Sequence, residues 1–119
     1  MSKSIAADKS YRFAIRIVKL YKWLCENKKE FVLSKQLLRS GTAIGALLKE
    51  AEHAQSKSDF LSKVNIALKE ANETSYWLML LKDTDYISLK EYESISKDAI
   101  ELVKLLASIV KTTKKNTAK

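Results

Sequence analysis

The fold is decided by a stretch that contains neither glycine nor proline, SDFLSKVNIALKEANETSYWLMLLK at residues 58–82. Its apolar and small residues recur at three- and four-residue steps, which is the period of one face of an α-helix. They are Phe60, Val64, Ala67, Leu68, Ala71, Ser75 and Leu78. The stretch therefore predicts a helix that begins at Ser58 or Asp59, either of which can cap it, and ends near Lys82.

The same period predicts three more helices, at about residues 8–27, 34–55 and 88–112. Their expected N-caps are Asp8, Ser34 and Ser88. Ser88 is followed three residues later by Glu91, which is the pattern of a capping box. Residues 113–119 are polar and basic, and we expect a frayed tail there. Because helices joined by short links favour antiparallel neighbours, we predict one all-α domain over residues 1–119, an antiparallel up-down-up-down four-helix bundle.

The composition favours a helical, cytoplasmic protein. The chain of 119 residues has 2 Gly and no Pro, whereas β-hairpin turns depend on such residues. Its one cysteine, Cys25, cannot form an internal disulfide. The first residues lack the apolar stretch of a signal peptide, and the longest apolar run, at residues 76–81, is far shorter than the about 20 residues of a membrane span. We therefore expect a cytoplasmic protein with no membrane partner.

Two glycines lie inside the second predicted helix, where each costs up to about 1 kcal/mol relative to alanine. Gly41 and Gly45 are four residues apart, so they fall on one face of that helix. We interpret them as a place where the backbone of another helix approaches closely.

The formal net charge of +8 favours a polyanionic partner. One face of the first helix combines cations that can neutralise phosphate with an indole that can stack on a base: Lys9, Arg12, Arg16, Lys19 and Trp23. The lysines of the fourth helix recur every seven residues and keep nearly one line: Lys90, Lys97, Lys104 and Lys111. We predict that the face on the first helix, together with Lys97, Lys104 and Lys111, binds RNA or DNA.

Both basic faces also have a simpler interpretation. A run of charge is often a solvated helix face, and Glu93 and Glu101 are spaced to pair locally with Lys97 and Lys104. A lone tryptophan such as Trp23 more often packs against its own core than stacks on a base.

The third helix carries more apolar surface than one core-facing stripe requires. A second line of residues lies opposite its core stripe: Ile66, Glu70, Glu73, Trp77 and Leu80. We predict that this line forms a subunit interface, with Trp77 as its anchor and the two glutamates facing basic groups of a neighbour. The simpler interpretation is that the third helix is buried within its own bundle.

The sequence contains no recognisable catalytic constellation. His53 is the one histidine, and neither a second imidazole nor a cysteine stands in metal-ligand spacing to it. Residues 40–45 contain two glycines but lack the Lys-Ser/Thr pair of a phosphate-binding loop. We therefore predict a protein that is not an enzyme and needs no metal or cofactor.

Several short motifs follow one another along the middle of the chain. They are LLRSGTAIGA at residues 37–46, EA at 50–51, SDF at 58–60, IALKEA at 66–71, ET at 73–74 and YWL at 76–78. In this order they resemble the 23S rRNA intervening-sequence protein family. The chain departs from the family at residues 46–48, where it has Ala-Leu-Leu and the family commonly has Ala-Asn-Ile.

The resemblance implies an up-down bundle that assembles as a ring, typically of five subunits, and it assigns no catalytic residue. Members are encoded in insertions within bacterial 23S rRNA genes and elsewhere. A related branch, the accessory variability determinant of diversity-generating retroelements, is a basic pentamer that works with a reverse transcriptase and nucleic acid. We therefore expect a non-enzymatic homo-oligomer that binds RNA or other nucleic acid through a basic surface. The alternative is a scaffold or accessory subunit that recruits a protein partner without binding nucleic acid directly.

Overall fold

The computed structural model describes residues 2–117, which form four helices in sequence. They are α1 (Ser2–Lys28), α2 (Leu33–Ala51), α3 (Lys57–Asp83) and α4 (Leu89–Thr117). Each helix packs against two others, α1 and α3 both lying between α2 and α4. The predicted all-α, up-down four-helix bundle is confirmed. Over the residues described, no helix combines the length and the apolar character needed to cross a membrane.

Apolar side chains from all four helices form one continuous core. The largest that are fully buried are Phe13, Ile17, Leu24, Leu37, Ile44, Leu78, Leu81, Leu102 and Leu106. One polar pair crosses this core between α2 and α3, where the hydroxyl oxygens of Ser40 and Thr74 are hydrogen-bonded at 3.0 Å. Both hydroxyls are fully buried, so the pair satisfies groups that would otherwise be costly to remove from water.

The two glycines of α2 lie where α1 crosses it closely. A Cβ atom at Gly41 would stand 2.8 Å from Cγ1 of Ile17, and one at Gly45 would stand 3.4 Å from Oγ of Ser10. Neither glycine has a positive φ, so the backbone conformation does not demand glycine at either position. Backbone atoms of α1 lie near Gly45, where the carbonyl oxygen of Ser10 would stand 3.5 Å from the added Cβ, whereas the space at Gly41 is filled by the side chain of Ile17.

α1 extends further toward the N-terminus than its apolar pattern indicated. It begins at Ser2, so Asp8 lies inside the helix and is not its N-cap. Ala6 is buried and stands four residues before the buried Ser10, so the core-facing stripe continues past Asp8. Asp8 instead pairs with Arg12, one turn later, at 3.0 Å.

α2 begins with a cap that the sequence pattern did not indicate. The carboxylate of Glu30 accepts hydrogen bonds from the backbone N–H groups of Val32, Leu33 and Ser34, at 3.2, 3.1 and 2.7 Å. Ser34, the expected N-cap, lies inside the helix, and its hydroxyl donates to the carbonyl of Glu30. Burial raises the pKa of Glu30, but these hydrogen bonds outweigh it, so the pKa lies below its ordinary value.

The link between α2 and α3 is longer than expected. α2 ends at Ala51 rather than near residue 55. Ser56, and not Ser58 or Asp59, is the N-cap of α3, since its hydroxyl accepts the backbone N–H of Asp59 at 3.0 Å.

The start of α4 is as predicted and its end is not. Oγ of Ser88 accepts the backbone N–H of Glu91 at 3.1 Å, and Oε1 of Glu91 accepts that of Ser88 at 3.2 Å, so the capping box is confirmed. The helix continues to Thr117 through most of the expected frayed tail, of which residues 118 and 119 lie outside the described part of the chain. Val110 is still buried, and Lys114 and Lys115 lie in the last turn, where the helix dipole favours cations.

Candidate nucleic-acid interface

The basic face predicted on α1 meets acidic partners on α4. Nζ of Lys9 pairs with Oε1 of Glu101 at 2.5 Å, and the guanidinium of Arg16 pairs with Oδ2 of Asp98 at 2.6 Å. Arg16 also donates to Oγ of Ser94 at 2.9 Å. Later residues of α1 meet earlier residues of α4, as antiparallel helices require. The cations of this face therefore bridge two helices and also face solvent.

Three of the four α1 cations are paired, but none of the three is buried. Arg12 pairs with Asp8, whereas Lys19 makes no ion pair with any residue from 2 to 117. The side chains of Lys9, Arg12 and Arg16 are between 41% and 77% exposed. Such exposed pairs are worth about 0–1 kcal/mol. The acidic partners thus lower the positive potential of this face without fixing its cations in place.

The second basic surface is the α4 lysine line, which consists of Lys90, Lys97, Lys104 and Lys111. All four side chains are exposed. Glu101, which is spaced to pair with Lys104, pairs instead with Lys9 on α1. Glu93 makes no ion pair with Lys97, and no acidic side chain between residues 2 and 117 pairs with a member of the line. Glu93 and Glu101 therefore do not pair with the lysines of the line.

The α4 lysine line is long enough to follow a nucleic-acid backbone. Each step of seven residues advances about 10 Å along the helix axis, so the line from Lys90 to Lys111 spans about 30 Å. Lys114 and Lys115 continue it through the last turn and are also exposed. Duplex nucleic acid carries about one phosphate charge per 1.7 Å of axis, so a line of this length runs beside many phosphates.

Trp23, the aromatic member of the predicted α1 face, lies in a groove between α1 and α4. The seam between these two helices is the most sparsely packed of the four in the bundle. The groove has a volume of about 530 Å³ and is lined by Arg16, Lys19, Leu20, Trp23, Ile87, Lys90, Glu91, Ser94 and Ile95. Trp23 is half-buried against the core, and Nζ of Lys28 stands 5.6 Å from the centre of its ring. The side chain therefore packs and also lines an accessible groove.

The line predicted as a subunit interface on α3 already has a basic partner within the chain. Arg39 of α2 pairs with Glu70 at 3.3 Å and also with Glu73. Nε1 of Trp77 donates to Oε2 of Glu73 at 3.0 Å, and Trp77 is half-buried against the core. Arg39 was not among the residues selected from the sequence, because nothing local indicates that α2 places it beside two glutamates of α3.

α3 nevertheless keeps apolar side chains at its surface. Ile66, Tyr76 and Met79 are exposed, and Leu80 is partly exposed. The ring of Tyr76 meets that of Trp77 edge to face, with 5.0 Å between their centres. A contact of this line with a second subunit stays a prediction.

His53 lies in the turn that follows α2 and is exposed. Over the residues described, no three His, Cys, Asp or Glu side chains are grouped closely enough to hold a metal ion. The expectation that the protein is not an enzyme and needs no cofactor stays a prediction.

A comparison with protein-family models shows the family of the chain. The model described as 23S rRNA-intervening sequence protein matches residues 2–108, which include the first three helices and most of α4. The chain belongs to this family.

Among solved structures, the chain is similar to a protein with unknown function from the S23 ribosomal protein family of Bacteroides thetaiotaomicron. The two are 60% identical, with a TM-score of 0.92, and the match covers 93% of this chain and 99% of the other. A search of curated proteins gave no match.

The motif that carried the family resemblance has structural roles in this family member. Arg39 pairs with the α3 glutamates, Ser40 bonds Thr74 in the core, and Gly41 admits the side chain of Ile17. Three consecutive residues of α2 thus each join this helix to another, the first two to α3 and the third to α1.

Proposed function

We propose that this chain forms a non-enzymatic, homo-oligomeric bundle that binds RNA or other nucleic acid through a basic surface. The observation that carries the proposal is the α4 lysine line, which is exposed and has no acidic partner within residues 2–117. Phosphate neutralisation by such side chains supplies most of the affinity in sequence-independent binding. The line is therefore the main binding surface, ahead of the α1 face.

The α1 face contributes to a lesser extent. Lys9 and Arg16 are already engaged with Glu101 and Asp98. Because an exposed pair is worth about 0–1 kcal/mol, a phosphate can replace either carboxylate at small cost. The displaced carboxylate then lies close to the phosphate and opposes its binding. The net gain from each paired cation is accordingly smaller than from a lysine of the α4 line.

Self-association is supported by apolar side chains that the single chain leaves exposed. Tyr11 and Ile15 lie on the outer side of α1, and Ile66, Tyr76 and Met79 lie on α3. Exposed aromatic and aliphatic groups of this kind favour contacts between subunits. A ring of five subunits, as the resemblance implies, would present five copies of the α4 lysine line to one nucleic acid and add up individually weak contacts.

The test is a fluorescence-anisotropy titration of a labelled, structured RNA over a series of salt concentrations. The first variant neutralises the surface by three substitutions: Lys97→Gln, Lys104→Gln and Lys111→Gln. The control removes the same charge from exposed lysines elsewhere: Lys35→Gln, Lys57→Gln and Lys69→Gln. We expect the α4 variant to reduce the slope of log affinity against log salt by about 3, and the control to change it by less than about 1.

The outcomes separate the candidate functions. Equal losses of RNA affinity in the two variants would show that binding depends only on net charge. That result would contradict the α4 lysine line as the binding surface. If the oligomer did not bind RNA even at low salt, nucleic-acid binding would be refuted and the protein-scaffold alternative would remain.

A further inference from the structure

We infer that the groove around Trp23 binds an unpaired base together with its phosphate, so that the protein holds single-stranded nucleic acid more tightly than duplex. The inference rests on the proposed function and narrows it to a class of substrate. The groove lies at one end of the α4 lysine line, and Lys90 belongs to both.

The lining of the groove is mainly apolar. Leu20 and Trp23 of α1 face Ile87 and Ile95 across it, and the two isoleucines are only 5% and 4% exposed. Its volume of about 530 Å³ lies within the about 300–1,000 Å³ typical of small-molecule sites. The ion pair of Arg16 with Asp98 closes the seam at one side, and the groove opens next to it.

The rim of the groove is positively charged. Lys19 comes from α1 and Lys90 from α4, and neither has an ion-pair partner within residues 2–117. Arg16 is a third cation of the lining, and Lys28, which is outside the lining, places Nζ 5.6 Å over the ring of Trp23. The acidic member of the lining, Glu91, is engaged in the capping box of α4. A mainly apolar lining with a basic rim is complementary to a nucleotide, whose base is flat and whose phosphate is anionic.

The indole of Trp23 can contribute a hydrogen bond as well as a stacking surface. Nε1 of Trp23 donates to no group between residues 2 and 117, whereas Nε1 of Trp77 donates to Glu73. No buried side-chain nitrogen or oxygen of the described residues lacks a partner, so Nε1 of Trp23 is open to solvent. Because this N–H lies in the plane of the ring, it can donate to a sugar or phosphate oxygen beside a base stacked on the indole.

A base can enter this groove only when it is outside a duplex. In a double helix both faces of each base are stacked on neighbours, so the backbone alone is available to the α4 lysine line. In a single strand the base can stack on an aromatic side chain while its backbone follows a basic surface. From the groove the strand continues past Lys90 along the remaining lysines. Duplex RNA is held by the lysine line alone.

The test compares a single strand of about 12 nucleotides with a duplex of the same length, at one salt concentration. For Trp23→Ala, we expect the affinity for the single strand to fall about 5- to 100-fold, as is typical of a lost base–aromatic contact, and the affinity for duplex to stay unchanged. Trp23→Phe retains a ring and should lose less. Trp77→Phe, the matched change at the other tryptophan, should leave the ratio of single-strand to duplex affinity at the wild-type value, because any effect on self-association acts on both nucleic acids alike.

A second measurement does not depend on the folding of the Trp23→Ala variant. In Trp77→Phe, Trp23 is the single tryptophan, and we expect its fluorescence to be quenched by the single strand and unaffected by the duplex. Equal affinities for the single strand and the duplex, with no effect of Trp23→Ala and no quenching, would refute base binding in the groove. Binding by the α4 lysine line would remain possible. If neither the single strand nor the duplex bound, base binding in the groove and the proposed function would both be refuted.

Discussion

Replacing Gly41 with alanine should destabilise the bundle, although alanine is the better helix former. The added Cβ would lie 2.8 Å from Cγ1 and 2.9 Å from Cγ2 of Ile17. Ile17 is fully buried, and a β-branched side chain in a helix has one strongly preferred rotamer. Neither α1 nor the side chain can therefore move aside without disturbing other core contacts.

The expected size of the effect follows from two opposing contributions. Alanine gains about 1 kcal/mol of helix propensity over glycine. Forcing an extra carbon into a close-packed core costs about 1–3 kcal/mol. We therefore expect Gly41→Ala to lower the free energy of unfolding by about 1 kcal/mol.

Gly45 provides a matched control one turn further along the same helix. A Cβ there would lie 3.4 Å from Oγ of Ser10, which is an ordinary van der Waals distance. Gly45→Ala should keep the gain in propensity and raise the free energy of unfolding by up to about 1 kcal/mol. The two substitutions are chemically identical and are expected to act in opposite directions.

Urea unfolding followed by circular dichroism, at one fixed protomer concentration, measures both changes. A double-mutant cycle sharpens the result, because Ile17→Ala should cost less in the Gly41→Ala background than in the wild type. If Gly41→Ala stabilised the protein as much as Gly45→Ala does, the close approach of α1 to α2 would be refuted.

Two further predictions concern charged groups. The pKa of Glu30 is lowered on folding, so its stabilisation is fully present above the ordinary glutamate value of about 4.3 and is lost as the pH falls through the lower folded value. Glu30→Gln should therefore cost about 1–2 kcal/mol near pH 7 and less near pH 3, and an equal difference in urea unfolding at both pH values would contradict the cap. Asp98→Asn with Glu101→Gln removes the partners of two α1 cations. This double variant should steepen the salt dependence of RNA binding by up to about 2 in anisotropy titrations, and an unchanged slope would show that those cations do not reach the nucleic acid.

The helical elements could be predicted because their signals are local. The three- and four-residue spacing of apolar residues identified all four helices, and the Ser88–Glu91 spacing identified the start of α4. Gly41 indicated a close approach, although not which side chain fills the space. The start of α2 was predicted to within one residue, but its capping group was missed, because Glu30 reaches forward from outside the helix, a pattern unlike that of a serine N-cap.

The pairing of charges at the surface could be predicted less well, because it depends on which helices are neighbours. Asp98 and Glu101 share a face of α4, yet only the packing of α4 against α1 shows that this face meets Arg16 and Lys9. The same packing leaves Lys104 without the partner that its spacing suggested. The lysines of α4 therefore became the stronger candidate for a nucleic-acid-binding surface only once the packing of the helices was known.

The most direct test of the account is lysine acetylation of the wild-type protein with and without RNA, with each site quantified by mass spectrometry. We expect RNA to protect Lys97, Lys104 and Lys111 most strongly, this protection to be lost as salt rises, and Lys35 and Lys69 to be unaffected. Protection of the latter two lysines to the same degree, or no protection at any site at low salt, would contradict this expectation.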